Sequence, residues 1–284
     1  MKKIANDYFE YSNIDLKFTD QEISKNVESL RQEFAKLTKN WTEELNSQWV
    51  VRNYIAVKMI LSASVLLSSV EFANQKNLRI VEPYLIYYSL LNCSRAIVLT
   101  SPFNEWNRGE IFAMSHQKTI NVVGDIISKY NKETGNVTKE FIDWAREYRE
   151  IFSYKFPANG LTEHHRNLDD TVDLCKLLCE IAQLQSKILE NSITKNVKVE
   201  FNLDWNTLSV GYKYRKKNFK FIDGEDSYRL DYITRKQKRP YSLHSTMTEG
   251  MVEDFFGSWC PEDDANLDEV YNPDANWRII FPVP

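Results

Sequence analysis

The chain has 284 residues, of which 43% are hydrophobic and 27% charged, and its net charge is −4. This composition is typical of a globular protein and excludes disorder over most of the length. With only 8 glycines and 8 prolines, an all-β or loop-rich chain is also excluded.

The N-terminal sequence MKKIANDYFEYSN lacks the apolar segment of a signal peptide. The most apolar stretch, Tyr54 to Val70, holds a charge-free run of 12 residues, from Met59 to Val70. A helix needs roughly 18–20 such residues to cross a bilayer. We therefore expect a buried core helix, no membrane and a cytoplasmic location.

Helical periodicity extends from Thr19 to about Asn191. The first long helix, within residues 19–41, carries one apolar stripe spaced by fours and threes: Ile23, Val27, Leu30, Phe34, Leu37 and Trp41. Further helices are predicted over about 42–74 and 81–100, and from a Ser115 cap to residue 130. "NKETGNV" predicts a break, after which Thr138 caps the next helix. The last helix spans about 168–190.

After residue 191 the pattern changes to alternation of apolar and polar residues. "VKVEFNL", "TLSVGYKY", "NFKFID" and "YRLDYIT" are typical of short strands separated by turns, and "WRIIFPVP" is a further strand candidate. The sequence thus predicts an α+β fold, in which a helical bundle over residues 1–195 precedes a small antiparallel β-rich domain over residues 196–284.

Charge is segregated in the second part. The segment Tyr212–Tyr241 holds ten basic and four acidic residues, whereas Glu249–Asn276 holds nine acidic residues and no basic one. The small net charge of the chain therefore hides two opposed blocks.

The cysteines predict neither a disulfide framework nor a metal site. Cys175 and Cys179 share a predicted helix, but Cys93 and Cys260 lie in other contexts and complete no ligand set. His164 and His165 fall in a turn without a second ligand pair. We expect reduced, buried thiols, no metal and no cofactor, since nucleotide-binding and hydrolase motifs are also absent from the sequence.

The helix at 81–100 is apolar on most faces and carries one polar-aromatic stripe: Tyr84, Tyr88, Asn92 and Arg95. A guanidinium in a buried helix needs an anionic or hydrogen-bonding partner. Arg95 either pairs with a carboxylate of the bundle or belongs to a binding site. His116 opens the next helix and is predicted to lie near this stripe.

"VEPYLIYYSLLNCSRAIVLTSP" followed by "FAMSHQK" resembles the HEPN class of helical domains, and in particular the bacterial YaaC-like proteins. The resemblance covers about residues 40–190. It implies a bundle of four or five helices, often dimeric, and many members are ribonucleases of toxin or phage-defence systems. Active members carry an Arg, four to six residues and then a His near a helix end.

Arg149 stands where the resemblance places the Arg, but Tyr154 and Lys155 follow it instead of a His. Imidazole titrates near neutrality, whereas Tyr and Lys do so near pH 10. The catalytic candidates are Arg149, His116 and Tyr154. Arg95 and Lys155 are candidates for phosphate contact.

Cations interleaved with tyrosines in "YKYRKKNFKF" and "TRKQKRPY" are typical of a nucleic-acid surface. The candidate binding residues are Lys213, Arg215, Lys216, Lys217, Arg235 and Lys236. A protein-partner surface and a solvated sheet remain open alternatives, and the acidic segment is a candidate mask for this surface.

We interpret the chain as a toxin or phage-defence protein that binds RNA or a protein partner, with metal-independent RNA cleavage as its candidate activity and a homodimer as the expected assembly. The alternative is a catalytically inert scaffold subunit of a larger complex.

Overall fold

The computed structural model describes residues 8–157, 168–216, 218–266 and 269–282. Helices dominate these ranges, and one small antiparallel sheet lies near the C-terminal end. The predicted helical bundle followed by a small β part is therefore confirmed. His164, His165, Lys217 and the side chains of Arg215 and Lys216 lie outside the described part of the chain.

Helices α1 (Ser12–Lys17) and α2 (Asp20–Lys39) open the bundle. Thr19 caps α2 through a capping box with Glu22, which satisfies two backbone donors at its first turn. The apolar stripe predicted for α2 is confirmed, because its residues Ile23 to Phe34 at that spacing are buried.

Helices α3 (Glu43–Gln75) and α4 (Glu82–Thr100) pack side by side at the centre. Both match the predicted helices, and Pro83 lies in the first turn of α4, where its missing N–H is harmless. By length and composition α3 is the one helix among the described residues that could span a membrane, and half of its most apolar window is buried in the protein.

Helices α5 (His116–Ser128), α6 (Lys132–Tyr154) and α7 (Leu168–Asn196) complete the bundle. Ser115 caps α5 as predicted. The predicted break at "NKETGNV" is wrong, because Asn131 accepts a hydrogen bond from the Thr134 amide and caps α6 well before Thr138. Gly135 lies inside this helix, where a Cβ would come within 2.7 Å of the Gly124 carbonyl oxygen of α5.

The C-terminal part contains less β structure than the sequence predicts. Within the described ranges the only sheet is a hairpin of β1 (Lys213–Lys216) and β2 (Phe219–Ile222), in which Lys213 pairs with Ile222. It follows helix α8 (Trp205–Leu208) and a turn of 3-10 helix, Ser209–Gly211.

The strand predicted at "YRLDYIT" is wrong, because helix α9 spans Gly224–Lys236. Asp223 caps this helix, and Leu230 and Ile233, three residues apart, are buried on one face. A stretch this short satisfies both the strand period and the helix period. Helices α10 (Leu243–Thr246) and α11 (Glu249–Gly257) follow.

"VKVEFNL" and the described part of "WRIIFPVP" also form no strand. Most of their apolar side chains instead pack on the core, and Phe281 is fully buried, whereas Val199 is exposed. Buried residues from both sides of position 195 belong to one hydrophobic cluster. Hydrogen bonds also join the two parts of the chain: the Asn53 side chain of α3 donates to the Tyr241 carbonyl oxygen at 2.6 Å. The domain boundary near 195 stays a prediction.

Candidate functional site

The site is built around Tyr87 of α4 and His116, the first residue of α5. Tyr87 is fully buried, and its hydroxyl oxygen lies 2.8 Å from Nδ1 of His116. The ring of Tyr88, which is 37% exposed, meets the imidazole edge-on at 6.2 Å. The hydrogen bond holds Nδ1, and Nε2 has no hydrogen-bond partner among the described residues.

Burial lowers the pKa of His116 below its ordinary value, and the charges of Arg95, Arg149 and Arg146 lower it further. Its place at the N-terminal end of α5 acts in the same direction, because a helix N-terminus disfavours positive charge. The imidazole is therefore neutral at pH 7.

Arg149 and Arg146 lie one turn apart on α6. The Arg149 guanidinium carbon is 5.0 Å from the centre of the Tyr87 ring, and its Nη2 is 3.1 Å from Glu150 Oε1. Its Nε is buried and has no hydrogen-bond partner among the described residues. Arg146 pairs with Asp143 at 3.3 Å.

Arg95 lies on α4 two turns after Tyr87. Its Nε is also buried, and no hydrogen-bond acceptor meets it within the part of the chain that the structure describes. Burial lowers its pKa, while Tyr87 and Tyr88 oppose that shift. A buried guanidinium donor without an acceptor is costly, and an anionic ligand would supply the acceptor.

Burial raises the pKa of Tyr87 to about 12, although Arg149, Arg146 and Arg95 act against the shift. The hydroxyl is therefore protonated at neutral pH and serves as a hydrogen-bonding group rather than as a base. We call the set Tyr87, Arg95, His116, Arg146 and Arg149 the His116 cluster.

The structure thus brings together three of the five residues predicted for the bundle site. Tyr154 and Lys155, at the end of α6, are exposed instead, and neither side chain makes a hydrogen bond or ion pair within the described ranges. Tyr87 and Arg146 were missed. Tyr87 lies eight residues before Arg95, about 80° around α4 from it, so the stripe through Arg95 did not mark it.

The other predicted nucleic-acid contacts lie on two separate elements. Lys213 is exposed on β1, and Arg215 and Lys216 belong to the same strand. Arg235 and Lys236 end α9, where their cationic groups lie 5.9 and 5.7 Å from the centre of the Tyr232 ring. Tyrosine–cation pairs of this kind suit stacking on nucleic acid.

The acidic and basic blocks meet through Arg229 of α9, which is bonded to the Asp254 carboxylate of α11. The Tyr271 hydroxyl, inside the acidic block, donates to the Val65 carbonyl oxygen of α3 at 2.8 Å. The acidic block therefore packs partly on the bundle. Whether it masks the basic residues stays a prediction.

The expectation of buried thiols is confirmed for three of the four cysteines and is wrong for Cys260, which is exposed. Cys93 on α4 and Cys179 on α7 have sulfurs 3.7 Å apart, and Cys175 is buried beside them. Burial raises the pKa of all three thiols, so they stay neutral. No group of metal-ligating side chains occurs in the described ranges.

Comparisons with family models, with curated proteins and with solved structures give no match to this chain. The functional argument therefore rests on the geometry of the His116 cluster.

Proposed function

We propose that this chain is a HEPN-like cytoplasmic protein, of the toxin or phage-defence kind, that binds RNA at the His116 cluster and cleaves it without a metal. The observation that carries the proposal is a neutral imidazole, hydrogen-bonded to Tyr87 and surrounded by Arg95, Arg146 and Arg149. Resemblance to the YaaC-like proteins supports the same fold and a homodimer.

The cluster is suited to a phosphodiester. Its three guanidinium groups have two carboxylate partners within the described ranges, Asp143 and Glu150, and the Nε atoms of Arg95 and Arg149 have no acceptor there. Phosphate oxygens accept several charge-assisted hydrogen bonds from such donors. Exposed Tyr88 offers a ring on which a base can stack.

For cleavage, the required tautomer has Nδ1–H of His116 donating to the Tyr87 oxygen, which leaves the lone pair on Nε2. Nε2 takes the proton of the ribose 2′-hydroxyl, and the 2′ oxygen attacks phosphorus. The bond from phosphorus to the 5′ oxygen breaks, and the imidazolium returns its proton to that oxygen. The arginines stabilise the charge that develops on the phosphoryl oxygens.

The alternative, an inert scaffold subunit, is favoured by one observation: Arg149 is followed by no His in its own helix, unlike the motif of active HEPN members. In this alternative the cluster binds a phosphate or a partner without cleaving it.

The test measures cleavage of a fluorescent RNA by the purified protein in the presence of EDTA. We expect His116→Ala to lower the rate by about 100-fold or more, because a positioned acid–base group contributes on that order. Arg149→Ala should weaken RNA binding as well. Lys25→Ala, at an exposed position of α2, is the matched control and should behave as the wild type.

Unchanged cleavage and unchanged cellular toxicity in folded His116→Ala and Arg149→Ala variants would rule out the nuclease. RNA binding that depends on Arg149, with no cleavage by the wild type, would favour the scaffold.

A further inference from the structure

A cavity of about 520 Å³ lies beside the His116 cluster and shares Arg95 with it. Its walls come from α3, α4, the 3-10 segment Asn107–Ala113 and the start of β1. The volume lies in the range of cavities that hold a small organic ligand.

The interior of the cavity is mostly apolar. Met59 and Val98 line it together with the rings of Phe112 and Tyr214. Trp106 packs edge-on against Phe112, with ring centres 5.4 Å apart, and so fixes that ring in place. Flat aromatic walls with a thioether suit a flat ring system such as a nucleobase.

Cations surround this apolar interior. Arg95, Arg108 and Lys213 line the cavity, and none of the three forms an ion pair with a carboxylate within the described ranges. A fourth cation, Lys58, is already bonded to the buried Asp226 carboxylate. Glu110 is the one carboxylate residue of the lining.

The strongest indication of a ligand is the unpaired guanidinium of Arg95. Arg95 lines the cavity, and none of its three nitrogens has a hydrogen-bond or ion-pair partner among the described residues. Its Nε is shielded from solvent, so an anionic oxygen in the cavity would accept from the terminal Nη groups.

The loop that carries Arg108 is held in a strained conformation. Asn107 and Arg108 have positive φ angles of 43° and 53°, followed by Gly109 at 90°. Non-glycine residues in this region cost on the order of 1 kcal/mol each and persist where the surroundings impose them. A side chain at position 109 would collide with Val210, so the close approach of this loop keeps exposed Arg108 at the cavity mouth.

We propose that this cavity binds a nucleoside phosphate, with the base against Phe112 and the phosphate at Arg95, Arg108 and Lys213. The ligand is either a free nucleotide or one nucleotide unit of an RNA strand. The proposal does not depend on cleavage at His116, because His116 does not line the cavity.

The test is isothermal titration of the full chain with AMP, GMP, CMP and UMP, with adenosine, with inorganic phosphate and with an RNA octamer. We expect saturable binding of at least one nucleotide. Adenosine and inorganic phosphate should each bind about ten-fold more weakly or worse, because one lacks the anion and the other lacks the apolar part.

The double variant Arg108→Glu/Lys213→Glu reverses two cations at exposed positions and should weaken nucleotide binding by about ten-fold or more. Lys25→Glu/Lys39→Glu makes the same charge change on α2, away from the cavity, and should bind as the wild type does. His116→Ala should retain nucleotide binding even where it abolishes RNA cleavage, which separates the two proposals.

If the octamer displaces a bound nucleotide, the cavity binds one nucleotide unit of an RNA strand. If the octamer does not displace it, the cavity binds a free nucleotide. Three results would overturn the proposal: no saturable binding of any nucleotide, phosphate alone binding as tightly as the nucleotides, or full binding by Arg108→Glu/Lys213→Glu.

Discussion

The Tyr87 hydroxyl and Nδ1 of His116 lie 2.8 Å apart, which joins the second turn of α4 to the first residue of α5. This bond holds Nδ1 of the imidazole, and the charges of Arg95, Arg149 and Arg146 act on the same ring. The ionisation of His116 therefore reports directly on the cluster.

Arg149→Ala should raise the pKa of His116, because the Arg149 charge is one of the causes that lower it. The measurement is a proton NMR titration of the histidine Cε1–H signals, assigned with His116→Gln. Arg149→Lys keeps the charge and should leave the His116 pKa low. Equal His116 pKa values in wild type and Arg149→Ala would show that the two groups do not interact.

Acid should destabilise the fold through His116. Its pKa is lowered in the folded state, so the unfolded chain binds the proton more tightly and stability falls as the pH drops through about 6.5. The check is urea unfolding of wild type and His116→Gln between pH 8 and pH 5. As the pH falls, the unfolding free energy of the wild type should decrease relative to that of the variant. A difference between the two proteins that stays constant with pH would contradict the prediction.

Arg52→Met should be strongly destabilising. The buried Arg52 side chain of α3 donates to the carbonyl oxygens of Leu99, Ser101 and Asn104, at 2.6, 2.7 and 3.1 Å, and so caps the end of α4. Burial lowers its pKa to about 9, which leaves the group charged at neutral pH. We expect a loss on the order of 3 kcal/mol in the free energy of unfolding, since several buried acceptors lose their donors.

The matched control for that variant is Arg235→Met, which removes an exposed arginine paired with Asp231 at 3.2 Å. Exposed pairs of this kind contribute less than about 1 kcal/mol. Similar losses in the two variants by urea denaturation would mean that the three carbonyl contacts of Arg52 do not stabilise the fold.

Asp226→Ala should loosen the C-terminal part from the bundle. The Asp226 carboxylate is fully buried and accepts from the hydroxyls of Tyr54, at 2.6 Å, and Tyr214, at 3.1 Å, while Lys58 pairs with it. Loss of the carboxylate leaves the buried Tyr54 hydroxyl without its acceptor and leaves Lys58 with only the more distant Asp223, at 3.8 Å. We expect a loss of about 3 kcal/mol in the free energy of unfolding.

The measurement for Asp226→Ala is hydrogen–deuterium exchange, with faster exchange expected over the hairpin and α9. Asp231→Ala removes an exposed carboxylate of the same helix and is its control. Unchanged exchange in the hairpin of Asp226→Ala would contradict the prediction.

Gly135→Ala should disturb the His116 cluster from a distance. A Cβ at Gly135 of α6 would lie 2.7 Å from the Gly124 carbonyl oxygen of α5, so these helices must move apart. Because α5 carries His116 and α6 carries Arg149, the separation of those two side chains should increase.

The readout for Gly135→Ala is the His116 pKa, which should rise toward its ordinary value, together with a lower melting temperature. Gly250→Ala is the control, since nothing lies within 4 Å of a Cβ there. It should be neutral or slightly stabilising, because alanine is the better helix former. An unchanged His116 pKa in Gly135→Ala would show that the close contact does not position the cluster.

The bundle helices were largely predictable because their stripes and caps are local. Ile23 and Phe34 follow a helical period, and Ser115 caps α5 in a standard way. The start of α6 was missed because Asn131 and Thr138 are both acceptable caps. Helix α9 was missed because its few apolar residues fit two periods.

The candidate site was predictable only in part. The types of Arg95, His116 and Arg149 mark them as candidates, but their convergence depends on how α4, α5 and α6 pack, which no local pattern contains. Tyr87 is next to Tyr88 in the sequence but points about 100° away from it around the helix. The predicted stripe through Tyr84 and Tyr88 therefore does not include Tyr87. The role of the buried Tyr87 hydroxyl can be recognised only from the position of its partner, His116, in the structure.

The three clustered cysteines have a practical consequence. Cys93, Cys175 and Cys179 are buried where α4 meets α7, whereas Cys260 is exposed. A thiol reagent added to the folded protein should therefore label one position at once and the other three only as those helices separate. The labelling rate of the three buried cysteines therefore measures how often the bundle opens. Labelling of exposed Cys260 serves as the internal reference, so no cysteine has to be introduced.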